Sequence, residues 1–402
     1  MPNRITVTVV GGGIIGCAVA YELGRRGADV CVLERRDVGQ GATQASAGIL
    51  APFIEADHAG PLRQLGSRSL ELYSRFVSDV VADSGAVVPY ERCGTLEAAM
   101  DASSLARLER AARALSETGL ECRLLNAAEA LIQEPHLGPS VIGALHVPSH
   151  GFVAASALTT ALREAAMRHG VSFLAPCAVT RLTSTGSRMS AETNQGPRHS
   201  DVVVLAAGSW TEGLEFGQKP SLPVRPVRGQ LLQLRWPTGS RLKQVVWSTG
   251  CYVVPWPDGT TLVGATVEDV GFDEGATVSG VMSLLDAARE VLPATEHAGF
   301  EAVRVGLRPG TADDLPVIGT RRSAPRLVYA TGHYRNGVLL APVTAQLVGD
   351  LVLEAAPGPL LEGVSPDRFA SAPDARAGET AAAGWAGSDP ARIRVARQEK
   401  KR

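Results

Sequence analysis

Long hydrophobic runs are absent from this 402-residue sequence, and no apolar stretch reaches the length that crosses a membrane. An excess of charge is absent too: 39 Lys and Arg accompany 41 Asp and Glu, which argues against nucleic-acid or anionic-membrane partners. The six cysteines are scattered, with no C-x-x-C pair and no metal-ligand spacing. We therefore expect free thiols, no metal site, no signal peptide and a cytoplasmic protein.

The most informative segment is a glycine-rich turn near the start of the chain. Residues 5–10 predict a strand, residues 17–26 a helix, and residues 29–34 a second strand that ends in an acid. Three glycines in G-x-G-x-x-G spacing separate the first strand from the helix: Gly11, Gly13 and Gly16. Such glycines let the backbone approach a pyrophosphate, and Glu34 is placed to accept hydrogen bonds from a ribose. The motif predicts an adenine dinucleotide site, and by itself it fits NAD and FAD equally.

Later segments favour FAD. Residues 41–49 are a run of small side chains that can pass close to a planar ring system. Residues 206–208 and 330–332 each end a predicted buried strand in glycine, and the second leads into a helix that begins at Gly337. A helix N-terminus beside a flavin favours the negative charge of the reduced ring. Together these segments predict a flavin site.

Apolar periodicity predicts the remaining elements. Helices are predicted over 61–84, 105–115, 127–133, 153–169, 278–291 and 337–354. Strands are predicted over 201–208, 227–236, 251–256, 261–266, 300–307 and 327–332, and those between 224 and 268 indicate an antiparallel sheet. The chain beyond about residue 373 lacks this periodicity, which predicts a disordered tail.

Seven collinear segments resemble the D-amino-acid oxidase family of FAD-dependent oxidases, and within it the glycine oxidases. They lie at 10–16, 46–50, 227–230, 251–255, 263–266, 306–310 and 330–337. The G-L-R-P-G and H-Y-R-N-G segments are the specific ones. The resemblance covers roughly residues 5–355 and implies an α/β fold, with a Rossmann-like FAD-binding domain and an antiparallel-sheet substrate domain.

The expected domains are discontinuous. We assign 1–85, 150–220 and 305–360 to the FAD-binding domain, 86–149 and 221–304 to the substrate domain, and 373–402 to the disordered tail. The resemblance also implies cofactor contacts in the glycine-rich turn, the small-residue run and the turns that follow strands. These are Gly11, Gly13, Ile14, Ile15, Gly16, Glu34, Arg35, Ala42, Thr43, Ala47, Gly48, Ile49, Ala178, Gly208, Gly332, His333, Tyr334, Arg335, Asn336, Gly337, Val338 and Leu339.

Three residues are candidates for the substrate site. A planar guanidinium binds a carboxylate bidentately, and Arg308 precedes a Pro-Gly turn at a predicted strand end. From the residues alone, Arg308 is as readily a structural arginine, and Tyr252 a core tyrosine. The resemblance implies that Arg308 and Tyr252 bind the substrate carboxylate and that Arg335 lies near the amine and the flavin.

The activity that the resemblance implies is oxidative deamination of glycine and small amines or D-amino acids. It would use non-covalent FAD and dioxygen, yield hydrogen peroxide, and supply the thiazole moiety of thiamine. Ile49 and Val267 replace larger side chains of some relatives, which leaves the preferred substrate open. Two alternatives are a D-amino-acid or 2-hydroxy-acid dehydrogenase that passes electrons to a quinone, and a catalytically silent flavin-binding subunit. The family is often oligomeric, although the sequence shows no interface.

Overall fold

The computed structural model describes residues 4–55, 60–216, 219–220, 222–237 and 241–369, so the predicted disordered tail lies outside the described residues. The strands are β1 (Thr6–Val10), β2 (Asp29–Leu33), β3 (Ile49–Leu50), β4 (Tyr90–Glu91), β5 (Thr95–Ala99), β6 (Arg123–Asn126), β7 (Gly143–Val147), β8 (Gly151–Val153), β9 (Ser172–Leu174), β10 (Val179–Thr185), β11 (Arg188–Thr193), β12 (Arg198–Ser200), β13 (Val202–Leu205), β14 (Glu215–Phe216), β15 (Lys219–Pro220), β16 (Arg225–Arg235), β17 (Val245–Trp247), β18 (Tyr252–Pro255), β19 (Thr260–Gly264), β20 (Gly299–Gly310), β21 (Val317–Arg321) and β22 (Ala324–Thr331). The α-helices are α1 (Ile14–Arg25), α2 (Pro52–Glu55), α3 (Pro61–Ser84), α4 (Ala102–Glu117), α5 (Ala127–Gln133), α6 (Ala155–Arg168), α7 (Val278–Val291) and α8 (Gly337–Leu353).

The first large sheet has six strands in the order β21-β22-β13-β1-β2-β9, parallel except for the edge strand β21. Its apolar strands are buried on both faces, as parallel strands usually are. Helices α1, α3, α6 and α8 pack together on one face. A small sheet in the order β12-β11-β10-β14-β15 packs on the other. The predicted Rossmann-like α/β fold is confirmed.

No element was assigned from the sequence between residues 170 and 200. The structure has β9, β10, β11 and β12 there. These strands alternate exposed polar side chains with few buried apolar ones, so their hydrophobic pattern is weak. Hydrogen bonds to neighbouring strands stabilise them, and the sequence pattern does not reveal which strands pair.

The second large sheet has eight strands in the order β20-β16-β19-β18-β17-β5-β7-β6. All neighbours are antiparallel except β17 and β5, so the expected antiparallel sheet is mixed at one pair. Helix α7 buries Leu284, Ala288 and Val291 against this sheet. The sheet combines strands from both segments of the predicted substrate domain with β20. The domain boundaries stay a prediction.

Two long strands bring the sheets together at the site. β16 and β20 pair over their whole lengths, with Val227 opposite Arg308 and Gly229 opposite Gly306. A Cβ atom on Gly306 would lie 2.8 Å from the Cβ of Ala45, so the strand packs directly on the small-residue run. The end of β20 therefore lies against the segment that was predicted to contact a flavin. Among the residues described, no helix combines the length and the hydropathy needed to cross a membrane.

Candidate functional site

A cavity of about 460 Å³ lies between the two large sheets. Its walls include the carboxyl ends of the parallel strands β1, β2 and β22, the N-termini of α1 and α8, and side chains from β18 and β20. Ligands of open α/β sheets bind at this edge of the sheet. Four arginines and one carboxylate line the cavity: Arg35, Arg36, Arg308, Arg335 and Glu34. The charged side chains of the wall therefore favour an anionic ligand.

The glycine-rich turn brings backbone N–H groups to the cavity. Gly11 has φ +108°, and a Cβ atom there would lie 2.4 Å from the carbonyl oxygen of Ala206. A Cβ atom on Gly16 would lie 1.9 Å from the Gly11 carbonyl oxygen, so only glycine allows α1 to start this close to β1. Helix α1 has neither a side-chain cap nor an acid in its first turn. Its N-terminus is thus suited to a pyrophosphate.

Glu34 lies just beyond the end of β2 on the wall of the same cavity. Its Oε2 accepts a hydrogen bond from the backbone N–H of Gly12 at 2.6 Å, and its Oε1 accepts one from Arg36 at 2.8 Å. Both bonds fix the carboxylate, and each oxygen keeps a further lone pair. The carboxylate can therefore also accept hydrogen bonds from a ribose diol.

The turn before α8 forms the opposite part of the wall. Tyr334 has φ +46°, and its N–H donates to the Pro309 carbonyl at 3.0 Å, which ties this turn to the end of β20. Helix α8 begins at Gly337 and has no side-chain cap and no acid in its first turn. Burial lowers the pKa of His333 to about 3, and its Nε2 lies 3.0 Å from the Thr344 hydroxyl. This histidine is therefore neutral near pH 7 and is a weak base, so it is poorly suited to take a proton from a substrate.

The small-residue run, residues 41–49, lies close to neighbouring backbone, and this close approach requires small side chains. Gly48 has φ +73°, and a Cβ atom there would lie 1.8 Å from the Val153 carbonyl oxygen. Two uncapped helix N-termini, an acid fit for a ribose, and glycines that no other residue can replace are the parts that FAD requires. The residues present fit the cofactor that the sequence predicted.

Most predicted cofactor residues line this cavity. Of the 22 named, all but Gly16, Gly332 and Leu339 lie on its wall. Gly16 packs on the turn, as described, and Gly332 has φ +71° with Thr311 directly beside it. Leu339 is 3% exposed in the core. These three residues do not line the cavity and pack behind the residues that do.

The substrate candidates lie together on the wall. Arg308 reaches from β20 across β16 at Gly229, and its Nη1 donates to the carbonyl oxygens of Thr266 at 2.9 Å and Arg228 at 3.4 Å. Within the described ranges, no Asp or Glu forms an ion pair with this guanidinium. Its charge is therefore not neutralised by the protein and can hold a carboxylate.

Tyr252 lies on β18 of the same sheet, where β19 separates it from β16. Its ring covers Gly264, where a Cβ atom would lie 2.5 Å from the phenol oxygen, and it packs against Trp247 with 5.2 Å between ring centroids. Arg335 lines the cavity from the turn before α8. Tyr252, Arg308 and Arg335, which are distant in sequence, thus lie on the wall of one cavity.

Sequence reasoning missed two tryptophans of the wall. Trp210 lies two residues after Gly208, and the guanidinium carbons of Arg35 and Arg36 lie 5.0 Å and 4.8 Å from its ring centre. Its position just after a predicted close-approach glycine could have identified it. Trp247 belongs to a short apolar strand, and no pattern distinguishes it from a core residue.

Comparison with known proteins gives a consistent result. The sequence profile of the family described as FAD dependent oxidoreductase (DAO) matches residues 6–351. The chain is 36% identical over 376 residues to the bifunctional protein ThiO/ThiG of Synechocystis sp., with 92% of this chain and 55% of that protein covered. It is 34% identical over 353 residues to glycine oxidase of Geobacillus kaustophilus, with 88% and 94% covered. The chain thus spans about half the length of the bifunctional relative and nearly all of the glycine oxidase.

Solved structures agree with these matches. The crystal structure of the Geobacillus kaustophilus glycine oxidase superimposes with a TM-score of 0.87, covering 91% of this chain and 99% of that one. Iminodiacetate oxidase from Chelativorans sp. has a TM-score of 0.81 at 27% identity, covering 90% and 98%. Proteins that share this fold are thus named for different substrates. The fold alone does not identify the substrate, and the residues of the cavity wall have to be considered.

Proposed function

The chain belongs to the DAO family of FAD dependent oxidoreductases, and on that premise we propose that it oxidises glycine and similar small amines at their α-carbon. The observation that carries this proposal is the guanidinium of Arg308 on the wall of the cavity, which forms no ion pair with any Asp or Glu that the structure describes. An α-amino acid offers the carboxylate that such a group binds. The activity named for the glycine oxidase relative supports the same substrate class.

The first task of the site is orientation. We assign the substrate carboxylate to Arg308, because a guanidinium whose Nη1 is already fixed by two carbonyl oxygens presents its remaining N–H groups in a defined direction. Tyr252 would donate its phenol hydrogen to the same carboxylate. Holding one end of a small substrate restricts the direction of its Cα–H bond, which reduces the entropy lost in reaching the transition state.

The second task is to limit substrate size. Ile49, Trp247 and Val267 line the cavity with apolar surface. We infer that these side chains restrict the space beside a substrate held by Arg308, which favours small amines such as glycine. Apolar walls also keep water from the reacting centre and strengthen the ionic contact with Arg308.

The third task is to keep the amine neutral. Glu34, the carboxylate of the wall, is held by the backbone N–H groups of Gly12 and Arg36, and His333 and Arg335 are poor proton acceptors. His333 stays uncharged because burial holds its pKa at about 3. Arg335 remains protonated at every physiological pH. We infer that the amine loses its proton to solvent before reaction, and that Arg335 disfavours the charged ammonium form by electrostatic repulsion.

When bound in this cavity, FAD would supply the acceptor for the hydride lost from the α-carbon and the redox link to dioxygen. The sum is glycine, dioxygen and water converted to glyoxylate, ammonia and hydrogen peroxide. We also propose that the oxidised amine feeds thiazole formation for thiamine, supported by the ThiO/ThiG relatives.

The decisive experiment mixes the purified FAD-loaded protein with glycine, sarcosine, D-alanine, D-proline and glycolate in air and measures hydrogen peroxide. Peroxide from glycine or sarcosine supports the oxidase, and the order of kcat/KM identifies the substrate. Flavin bleaching without air, but no peroxide in air, would instead support the quinone-reducing dehydrogenase. If no amino acid bleaches the flavin, the amine oxidase proposal is wrong and the silent flavoprotein gains support.

The carboxylate assignment has its own test. Arg308→Ala should raise KM for glycine roughly 100-fold, equivalent to about 3 kcal/mol of lost binding free energy, while FAD stays bound. Arg304→Ala is the matched control, because Arg304 lies on the same strand but contacts Gln233 and Trp256 outside the cavity. Wild-type KM together with loss of FAD in Arg308→Ala would show that Arg308 serves the cofactor and not the substrate.

A further inference from the structure

A buried polar cluster lies behind Arg308, on the other face of β16. It consists of Arg228, Gln230, Thr266 and Glu268, which are all 7% exposed or less. Side chains alternate between the faces of a strand, so Arg228 and Gln230 point away from the face on which Gly229 receives the Arg308 guanidinium. None of the four lines the cavity.

Every member of the cluster is bonded to another. Glu268 Oε2 accepts from Arg228 Nη2 at 2.5 Å, and Glu268 Oε1 accepts from Gln230 Nε2 at 2.7 Å and from the Thr266 hydroxyl at 2.5 Å. Burial raises the pKa of the Glu268 carboxyl, but the hydrogen bonds from Thr266, Arg228 and Gln230 outweigh it and hold that pKa below its usual range. Glu268 is therefore ionised and compensates the charge of Arg228.

The backbone of this cluster is what Arg308 contacts. Glu268 and Arg228 exchange both backbone hydrogen bonds, at 3.0 Å and 2.9 Å, and the Gln230 N–H donates to the Thr266 hydroxyl at 2.9 Å. The two carbonyl oxygens that accept from Arg308 Nη1 belong to Thr266 and Arg228. The side chains on one face thus fix the acceptors that orient the guanidinium on the other.

A contribution to the stability of the fold does not by itself explain why this cluster contains the charged residues Arg228 and Glu268. Replacing a buried ion pair by apolar residues is often neutral or stabilising, so a fold gains little from placing one here. We propose that Arg228 and Glu268 are positioning residues, which hold the Thr266 and Arg228 carbonyls so that Arg308 presents its free N–H groups to the substrate carboxylate. This inference rests on the proposed function, since it takes Arg308 as the carboxylate ligand.

The contact with α7 extends the cluster. Gln230 Oε1 accepts from the backbone N–H of Thr277, the N-cap of α7, and Gln230 Nε2 donates to the Thr277 hydroxyl at 2.9 Å. Arg228 Nη1 donates to Asp273 at 2.7 Å and to the Gly275 carbonyl at 2.9 Å. The segment from Thr266 to Thr277 is therefore held to β16 by the same two side chains, and its displacement would move the Thr266 carbonyl.

The test compares Glu268→Gln with Glu97→Gln. Glu97 also pairs with an arginine, Arg107, is 5% exposed in the same sheet, and lies outside the cavity. For Glu268→Gln we expect KM for glycine to rise about 10-fold with kcat within about 3-fold of wild type, because the lost interaction is made equally in the ground and transition states. The dissociation constant of acetate, read from the flavin absorption spectrum, should rise by the same factor. Glu97→Gln should leave both constants unchanged.

A second variant keeps the inference testable if Glu268→Gln unfolds. Arg228→Met combined with Glu268→Leu removes both charges together and leaves no buried ion without a partner. We expect it to bind FAD and to show the same rise in the acetate dissociation constant. Wild-type acetate binding in either folded variant would overturn the positioning role. If wild type binds acetate but oxidises no amine, the amine oxidase proposal fails, and the two variants still decide the positioning role.

Discussion

Arg308 and Gly229 are in direct contact: the guanidinium of Arg308 lies over the α-carbon of Gly229 on the adjacent strand. A Cβ atom on Gly229 would lie 2.3 Å from both Nη atoms, a separation that atoms in proteins do not adopt. The path of Arg308 toward the Thr266 carbonyl therefore exists only because β16 has glycine at this position. In a strand, glycine otherwise weakens the sheet.

Gly229→Ala should displace the Arg308 guanidinium without removing it. We expect KM for glycine to rise at least 10-fold while the flavin absorption spectrum stays that of the bound cofactor, since Gly229 does not line the cavity. Steady-state kinetics and the spectrum together check this. Gly60→Ala is the control, because a Cβ atom there would meet no other atom within 4 Å. An unchanged KM in Gly229→Ala would mean that Arg308 does not hold the substrate in this position.

Tyr252 and Gly264 form a similar pair. Tyr252→Phe removes one hydrogen bond to the substrate carboxylate, so we expect KM to rise about 5-fold to 30-fold, equivalent to roughly 1–2 kcal/mol. Gly264→Ala should have at least as large an effect, because its Cβ would lie 2.5 Å from the phenol oxygen. Kinetics of both variants and of their double mutant are the measurement. In the Tyr252→Phe background, Gly264→Ala should raise KM by a smaller factor than it does in the wild-type protein. Strictly additive effects on the binding free energy would argue against the pairing of Tyr252 with Gly264.

Glu34 is expected to determine cofactor affinity. Glu34→Gln keeps the shape of the side chain, but one of its two terminal groups becomes a donor facing either the Gly12 or the Arg36 N–H. We predict that the FAD dissociation constant rises about 10-fold or more, as measured by fluorescence of the released flavin on dilution. Asp29→Asn, at the exposed start of the same strand, should bind FAD like wild type. Equal loss of FAD in both variants would show that strand β2, not the Glu34 contact, is affected.

Buried histidines should make the protein less stable in mild acid. Burial lowers the pKa of His150 and of His333 to about 3, against a usual value of 6.5. Below pH 6.5 the unfolded chain binds protons that the folded chain does not. The free energy of unfolding should therefore fall by about 1.4 kcal/mol per pH unit for each histidine as the pH drops from 6.5 toward 3.

The measurement is the melting temperature of the FAD-saturated protein between pH 7 and 5, a window above the pKa values of the depressed carboxyl groups. His150→Asn should reduce the pH dependence, because asparagine can still bond Thr95, the partner of His150 Nδ1 at 2.7 Å, and does not titrate. His199→Asn is the exposed control and should leave the slope unchanged. A pH dependence equal in all three proteins would assign the effect to other groups.

Much of the fold follows from local patterns. The strand, glycine turn and helix at the start of the chain are where the motif predicts them, and helices 61–84 and 278–291 have the predicted bounds. Hydrophobic period and glycine spacing are properties of neighbouring residues, so the sequence carries them directly. The strands of the small sheet that includes β10 and β11 were missed because their stability comes from pairing and not from their own pattern.

By itself, the sequence determined the fold class and the cofactor, because each depends on short segments with characteristic chemistry. Only the tertiary structure decided which arginine reaches the cavity and which is held in a buried ion pair. Arg228 and Arg308 are both arginines on long strands, yet one is buried against Glu268 and the other reaches the cavity. The difference arises from strand register, which sets Arg308 beside Gly229, and from burial, which makes an ion pair with Glu268 necessary for Arg228.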